Sequence, residues 1–254
     1  MPQGGGMRWH PWEDLRALVE LGAPSACAGC GLAGRRWCPD CARSLEEGPP
    51  GPWSPTPRPA GMPATWSGAA YADRVRTAVV AWKDGGRADL TTVLAPRLRG
   101  ILAAALAGSP EHLAVARSAR GCPLVPAPSA RSGTRARGEH RVAALARAAA
   151  SGHRAHLPVV DGLRLRRAVS DQARLTAAER AANLSGAVTV TGAGSRAVQG
   201  RPCIVVDDVV TTGATLAECA RALLAAGSGP VVAVTLAATR RRVDPSLSSV
   251  AEAD

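Results

Sequence analysis

Phenylalanine is absent from this chain, tyrosine occurs once, and aromatic residues make up only 3% of its 254 positions. A core must therefore be packed mostly from Val, Leu and Ala. Lysine is nearly absent too: Lys83 is the only one among 31 basic residues, and the rest are Arg. Together with abundant Ala, Gly and Pro this points to codon bias in a GC-rich genome. The net charge of +11 then has two readings, a codon-driven basic surface or an attraction for anionic partners such as phosphate-bearing small molecules and nucleic acid. The arginines are spread along the chain, so charge alone locates no site. No apolar run approaches the ~20 residues that span a bilayer, and residues 1–16 lack the apolar stretch of a signal peptide. The expectation is a cytoplasmic protein without membrane insertion, whose cysteines serve as metal ligands or core residues before disulfides.

Three parts can be distinguished, enough for one good-sized domain and a small appendage. Residues 1–46 hold a short helical pattern (12–21) and a compact cysteine cluster. Residues 47–63 are rich in Pro and Gly and read as a linker. Residues 64–240 alternate helical and strand patterns, and 241–254 read as a flexible tail. Val75, Ala78, Val79 and Trp82 share one helical face that ends at Gly85-Gly86. Leu90, Leu94, Leu98, Ile101, Leu102 and Ala105 share another, with Pro96 expected to kink or start that helix. Val142, Leu145, Ala146 and Ala149 mark a third. Leu124-Val125 is a short strand, and Val159-Val160 and 187–190 are weaker strand candidates. The pattern is clearest near the end: a strand at 203–206, a helix at 216–226 closed by Gly227, and a strand at 231–236. Strand, helix and strand in that order imply a parallel βαβ unit, hence an α/β fold with a parallel sheet flanked by helices.

Cys27-x-x-Cys30 and Cys38-x-x-Cys41 are two knuckles separated by seven residues. Each C-x-x-C turn lets two thiolates reach one metal, and four thiolates suit a structural zinc with no open position. Redox pairs or disulfides are the alternatives. Cys122, Cys203 and Cys219 fall on apolar faces and read as core residues.

The segment RPCIVVDDVVTTGATLAECARALLAAG carries the main functional signal. A buried strand ends in Asp207 and Asp208, and Thr211-Thr212-Gly213-Ala214-Thr215 opens the next helix. In open α/β sheets ligands sit outside the carboxyl ends of strands. Gly213 allows close approach of the backbone, successive amides at a helix N-terminus cradle an anion, and three Thr hydroxyls add donors. The two carboxylates would repel a phosphate, and serve better as acceptors for sugar hydroxyls or near a Mg²⁺. An anion cradle beside a carboxylate pair describes ribose 5-phosphate. Other apolar strands ending in Asp need partners missing here: a Walker B strand needs a G-x-x-x-x-G-K-[ST] loop, and a receiver domain needs a Lys after the acids. An ordinary capped strand–loop–helix turn is the remaining alternative.

The run VVDDVVTTGAT over 205–215 resembles the phosphoribosyl pyrophosphate fingerprint of type I phosphoribosyltransferases. With the cysteine knuckles, Trp82-Lys83 and Gly85-Gly86, Pro126-Ala127-Pro128, Arg137-Gly138, and Gln172 with Glu179, Arg180, Asn183 and Leu184, the chain is similar to the ComF family, which is associated with competence. It carries Glu139 and His140 where that family has an aromatic residue and Asn, and Asp84 where an aromatic often follows the Lys. The resemblance implies the type I phosphoribosyltransferase fold with a small N-terminal zinc-ribbon-like module holding a structural Zn. It assigns Asp207 and Asp208 to the ribose hydroxyls as the catalytic pair. Val209, Val210, Thr211, Thr212, Gly213, Ala214 and Thr215 go to the ribose 5-phosphate, and Pro128, Ser129, Ala130 and Arg131 to the pyrophosphate, with Mg²⁺.

Two functions stay open: phosphoribosyl transfer to an unknown acceptor, or a non-catalytic DNA-uptake accessory role. The latter would involve single-stranded DNA and helicase or recombination-mediator partners; self-association is compatible with either. Arg164, Arg166, Arg167, Arg174 and Arg180 suit phosphate contact or an exposed helix face equally, but lack the aromatic platforms that single strands favour.

Overall fold

Two apolar strands, with a helix between them, set the centre of the molecule. The computed structural model describes residues 26–128, 140–166 and 186–239. In chain order the strands are β1 (Gly51–Trp53), β2 (Ala64–Ala70), β3 (Leu124–Pro126), β4 (Leu163–Leu165), β5 (Val188–Val190), β6 (Cys203–Val210) and β7 (Val231–Ala238). The α-helices are α1 (Pro39–Glu46), α2 (Asp73–Lys83), α3 (Thr91–Ala107), α4 (Pro110–Arg117), α5 (Arg141–Ser151), α6 (Gly192–Val198) and α7 (Ala214–Ala225). The main sheet has the order β1-β2-β7-β6-β3. All its pairings are parallel except the antiparallel edge strand β1, and β4 and β5 form a separate antiparallel pair. The fold is mixed α/β, with a mostly parallel central sheet flanked by helices.

Side chains of a strand alternate between its faces, and β6 uses this to join two cores. Ile204 and Val206 pack with Trp82, Leu94, Leu98, Ile101, Leu102 and Leu145 from α2, α3 and α5. Cys203 and Val205 pack with Leu216, Cys219 and Leu223 of α7, and with Leu163 and Val188 of the small sheet. Burial on both faces explains the unbroken apolar run that starts this strand.

Several elements exceed their sequence signal. The strand expected at 203–206 continues to Val210, because β7 lies alongside as far as Ala238 and pairs the backbone beyond the two acids. Helix α3 runs through Pro96. One missing amide is outweighed by burial of Leu94, Leu98, Ile101 and Leu102, each fully shielded. The helical stretch Ala88–Ala107 is also long and apolar enough, by length and composition, to cross a membrane. This corrects the expectation from the sequence, where Pro96, Arg97 and Arg99 interrupt the run. Here its apolar face lies against Trp66, Val234 and Leu145 as a core helix. Val159 makes only an isolated parallel bridge to Leu124 rather than a strand. Within the Pro/Gly-rich stretch 47–63, β1 pairs with β2 and Met62 is buried, so this stretch packs onto the sheet.

Leu102 lies where α3 meets the sheet. Leu102→Ala is expected to cost about 2–5 kcal/mol, read as a lower denaturation midpoint at unchanged slope.

Candidate functional site

Strand alternation dictates where the two acids go. Asp207 continues the face of Cys203 and Val205, towards α7, where its charge helps push up the buried Cys219 thiol. Asp208 continues the face of Ile204 and Val206, towards α2. At the end of α2, Trp82 is fully buried and donates from Nε1 to Thr91 Oγ1 at 2.9 Å. That anchor fixes the last turn of the helix, and the next residue, Lys83, places Nζ 2.6 Å from Asp208 Oδ2.

The acids are not equivalent. The Asp208 side chain is 4% exposed, against 43% for Lys83. Its Oδ1 accepts from the Val209 amide at 3.0 Å. Its Oδ2 meets Lys83 as an ion pair without the alignment of a hydrogen bond. Asp207 is half-buried and accepts the Asp208 amide at 2.8 Å. Desolvation of its carboxyl, and then the charge of Asp208, push the Asp207 pKa up to about 8, only partly opposed by Lys83. Burial alone would lower the Lys83 pKa, but Asp208 and then Asp207 more than offset it and hold it above the ordinary lysine value.

After β6 the chain turns sharply. Val209 and Val210 remain strand residues paired with Ala237 and Ala238, so the open turn begins at Thr211. Thr211 is exposed and Thr212 half-buried. Gly213 caps α7 in the left-handed region at φ 79°, and a Cβ there would run into Met62 Sδ; glycine satisfies both constraints. Thr212 Oγ1 accepts the Ala214 amide at 3.4 Å. No described residue accepts from the amides of Thr211, Thr212 or Gly213, and the first amides of α7 point the same way. Thr215 stands half-buried in that first turn. These donors and the positive end of the helix dipole make an anion-binding turn at the carboxyl end of a central strand.

Of the four residues assigned to pyrophosphate, Pro128 is described, and Ser129, Ala130 and Arg131 lie outside the described residues. So do Arg167, Arg174 and Arg180. Pro128 follows Ala127, whose amide donates to Val206 O at 2.8 Å, one residue before Asp207. His140 Nε2 lies 3.0 Å from Ala127 O, and its Nδ1 lies 3.4 Å from Asp161. Ala127, the residue that follows β3, thus lies beside the start of the acid pair.

Residues 160–253 match the family model of the phosphoribosyl transferase domain. The match supports a type I phosphoribosyltransferase-like family, and with it phosphoribosyl transfer or binding of phosphoribosyl pyrophosphate in general terms. It spans β4 to β7, the two acids and the anion-binding turn. The phosphoribosyltransferase match leaves out β2 and β3, although both pair into the same sheet. No curated protein matches the chain.

The four cysteines form a second site. Their sulfurs all lie within 4.8 Å of one another, with Cys27–Cys41 and Cys30–Cys38 both at 3.6 Å. Four thiolates ~2.3 Å from one zinc would lie about 3.8 Å apart, so this donor set fits a tetrahedral metal. Gly29 is required, because a Cβ there would stand 2.6 Å from Cys41 Sγ. Burial pushes the Cys27 thiol up, but the amides of Gly29, Cys38 and Cys30 more than offset this and hold it at about 6. Burial and the neighbouring thiols push Cys41 up instead. Four such thiols ionise together only around a cation. Cys122, Cys203 and Cys219 are fully buried in the two cores.

The sequence did not disclose the partnership of Lys83 and Asp208 or the cover that Met62 lays over Gly213. The one available signal was a single lysine surviving in an arginine-biased chain.

Two measurements follow. Metal analysis of chelator-free protein is expected to give about one zinc per chain, and Cys41→Ser to lose it. Because Asp207 holds its proton more tightly in the folded chain, ligand-free stability should fall as pH rises from about 4 to about 8. Thermal melts of Asp207→Asn should lack that component.

Proposed function

We propose that the turn after β6 binds the ribose 5-phosphate part of phosphoribosyl pyrophosphate, and that the bound molecule is a donor for phosphoribosyl transfer. The observation that carries this reading is the junction of two chemistries within one turn. Unpartnered amides at 211–213 lead into α7, and two carboxylates stand immediately before them on β6. The amides and Thr hydroxyls suit the phosphate dianion. Asp207 and Asp208 suit the 2′ and 3′ hydroxyls, which need acceptors. The family match over 160–253 supports the same ligand.

In the transfer reaction the bond from ribose C1 to the pyrophosphate oxygen breaks and a bond from C1 to an acceptor forms. The sugar carries positive charge as pyrophosphate leaves with the electron pair. Asp207 and Asp208 hold the ribose while this happens, and Pro128 opens the segment assigned to the leaving group. Mg²⁺ held with the pyrophosphate would neutralise its charge. A structural zinc in the four-cysteine cluster stands outside this chemistry.

The ComF resemblance adds a second reading, in which the same pocket serves the handling of incoming single-stranded DNA with helicase or recombination-mediator partners. The net charge of +11 favours it.

Titration calorimetry with phosphoribosyl pyrophosphate and Mg²⁺ should show saturable binding, weakened at least roughly tenfold in Asp207→Ala. Absence of heat in the unmodified protein would remove the ligand. Pyrophosphate release that depends on an added nucleobase or amine would establish transfer. Binding of labelled single strands that survives Asp207→Ala would favour the second reading.

A further inference from the structure

We propose that Lys83 is a positioning residue of the ribose site: it holds Asp208 as an oriented carboxylate so that Asp208 can take a sugar hydroxyl. The inference rests on the phosphoribosyl reading above. It adds a residue on an element well outside the matched segment 160–253.

Two neighbouring carboxylates beside a phosphate site pose an electrostatic difficulty. Burial, and then the charge of Asp208, disfavour the ionised form of Asp207. Asp208 bears most of the burial, at 4% side-chain exposure. Lys83 supplies the missing countercharge at 2.6 Å. The same contact fixes the carboxyl. Oδ1 is held by the Val209 amide, and Oδ2 lies against Nζ without an aligned hydrogen bond. The carboxylate is thereby held in one orientation beside the turn.

The choice of residue supports the same role. Every Lys/Arg position of this chain is arginine with the single exception of position 83. Geometry supplies a reason. A guanidinium binds best through two parallel bonds to both carboxylate oxygens, but Oδ1 of Asp208 is already engaged by Val209. What this place accommodates is a compact point charge on a thin stem. The stem leaves α2 beside the fully buried Trp82, which fixes its origin. Lys83 Nζ stands against Asp208 Oδ2, and the proposed influence on the ligand runs through that carboxylate.

The single lysine permits a direct test. In protein labelled with ¹⁵N only at the lysine side chain, one assigned Nζ signal reports on the ion pair. That signal should be protected from solvent exchange near neutral pH, should move when phosphoribosyl pyrophosphate and Mg²⁺ are added, and should lose its protection in Asp208→Asn. Calorimetry on the full chain gives the energetic counterpart. Lys83→Met should weaken binding of phosphoribosyl pyrophosphate roughly tenfold, and Lys83→Arg should remain closer to Lys83→Met than to the unmodified protein. If lysine acts through Asp208, Lys83→Met should cost at most about twofold when introduced into Asp208→Asn. An Nζ signal unchanged in folded Asp208→Asn overturns the ion pair, and where that variant does not fold, an Nζ signal without protection in the unmodified protein overturns it. Binding in Lys83→Met within twofold of the unmodified protein overturns the positioning role, and a roughly tenfold loss from Lys83→Met that persists in the Asp208→Asn background shows lysine acting on the ligand directly. If the unmodified protein itself takes up no phosphoribosyl pyrophosphate, the parent reading fails and this inference with it, an outcome distinct from the others.

Discussion

Strand β6 is apolar on both faces and paired on both edges, and the rest of the molecule is arranged around that condition. A strand so enclosed cannot shift by one residue, because the shift would exchange the contents of two differently shaped cores. Ile204 and Val206 are fixed against α2, α3 and α5, while Cys203 and Val205 are fixed against α7. The acids that follow inherit this register. Their opposite orientations, one towards α7 and one towards Lys83, are the continuation of an alternation set four residues earlier.

That inheritance separates what could be read in the sequence from what could not. The segment from β6 to β7 was legible because its signals are local: period two, a pair of acids, a glycine at a left-handed cap and an apolar helix face. The four cysteines were legible for the same reason. Strand β2 was not, since ATWSGAA contains small residues and a glycine of low strand preference. Its extended state follows from pairing with β7 over Ala64 to Ala70, a tertiary effect. Helix α4 carried a signal that went unread, Ser109 followed by Pro110 at the first helical turn. The meeting of Lys83 with Asp208 had no local signature, because only the packing of α2 on the sheet joins two such distant positions.

Burial also divides labour between the acids. Asp208 is shielded, countercharged and hydrogen-bonded, which suits a rigid acceptor. Asp207 keeps partial access to solvent and retains its proton more readily, which suits a group that responds to what binds. The four-cysteine module is joined to the same body. Ala28 and Leu45 enter the core that contains Trp82, and Arg87 donates to the carbonyls of Ala26 and Arg36.

The sheet order has one further consequence. The matched segment begins at residue 160, yet β7 lies between β6 and β2, and β6 lies between β7 and β3. A fragment cut at that boundary would keep two central strands and strip both of their outer neighbours. It would also bare the apolar face of Ile204, Val206, Val234 and Leu236 that α2, α3 and α5 cover. Two parallel strands with open edges and an uncovered face form an aggregating species rather than a domain. The matched segment is therefore smaller than the unit that folds, and the strands and helices before residue 160, for all their weak sequence signals, are structurally indispensable to it.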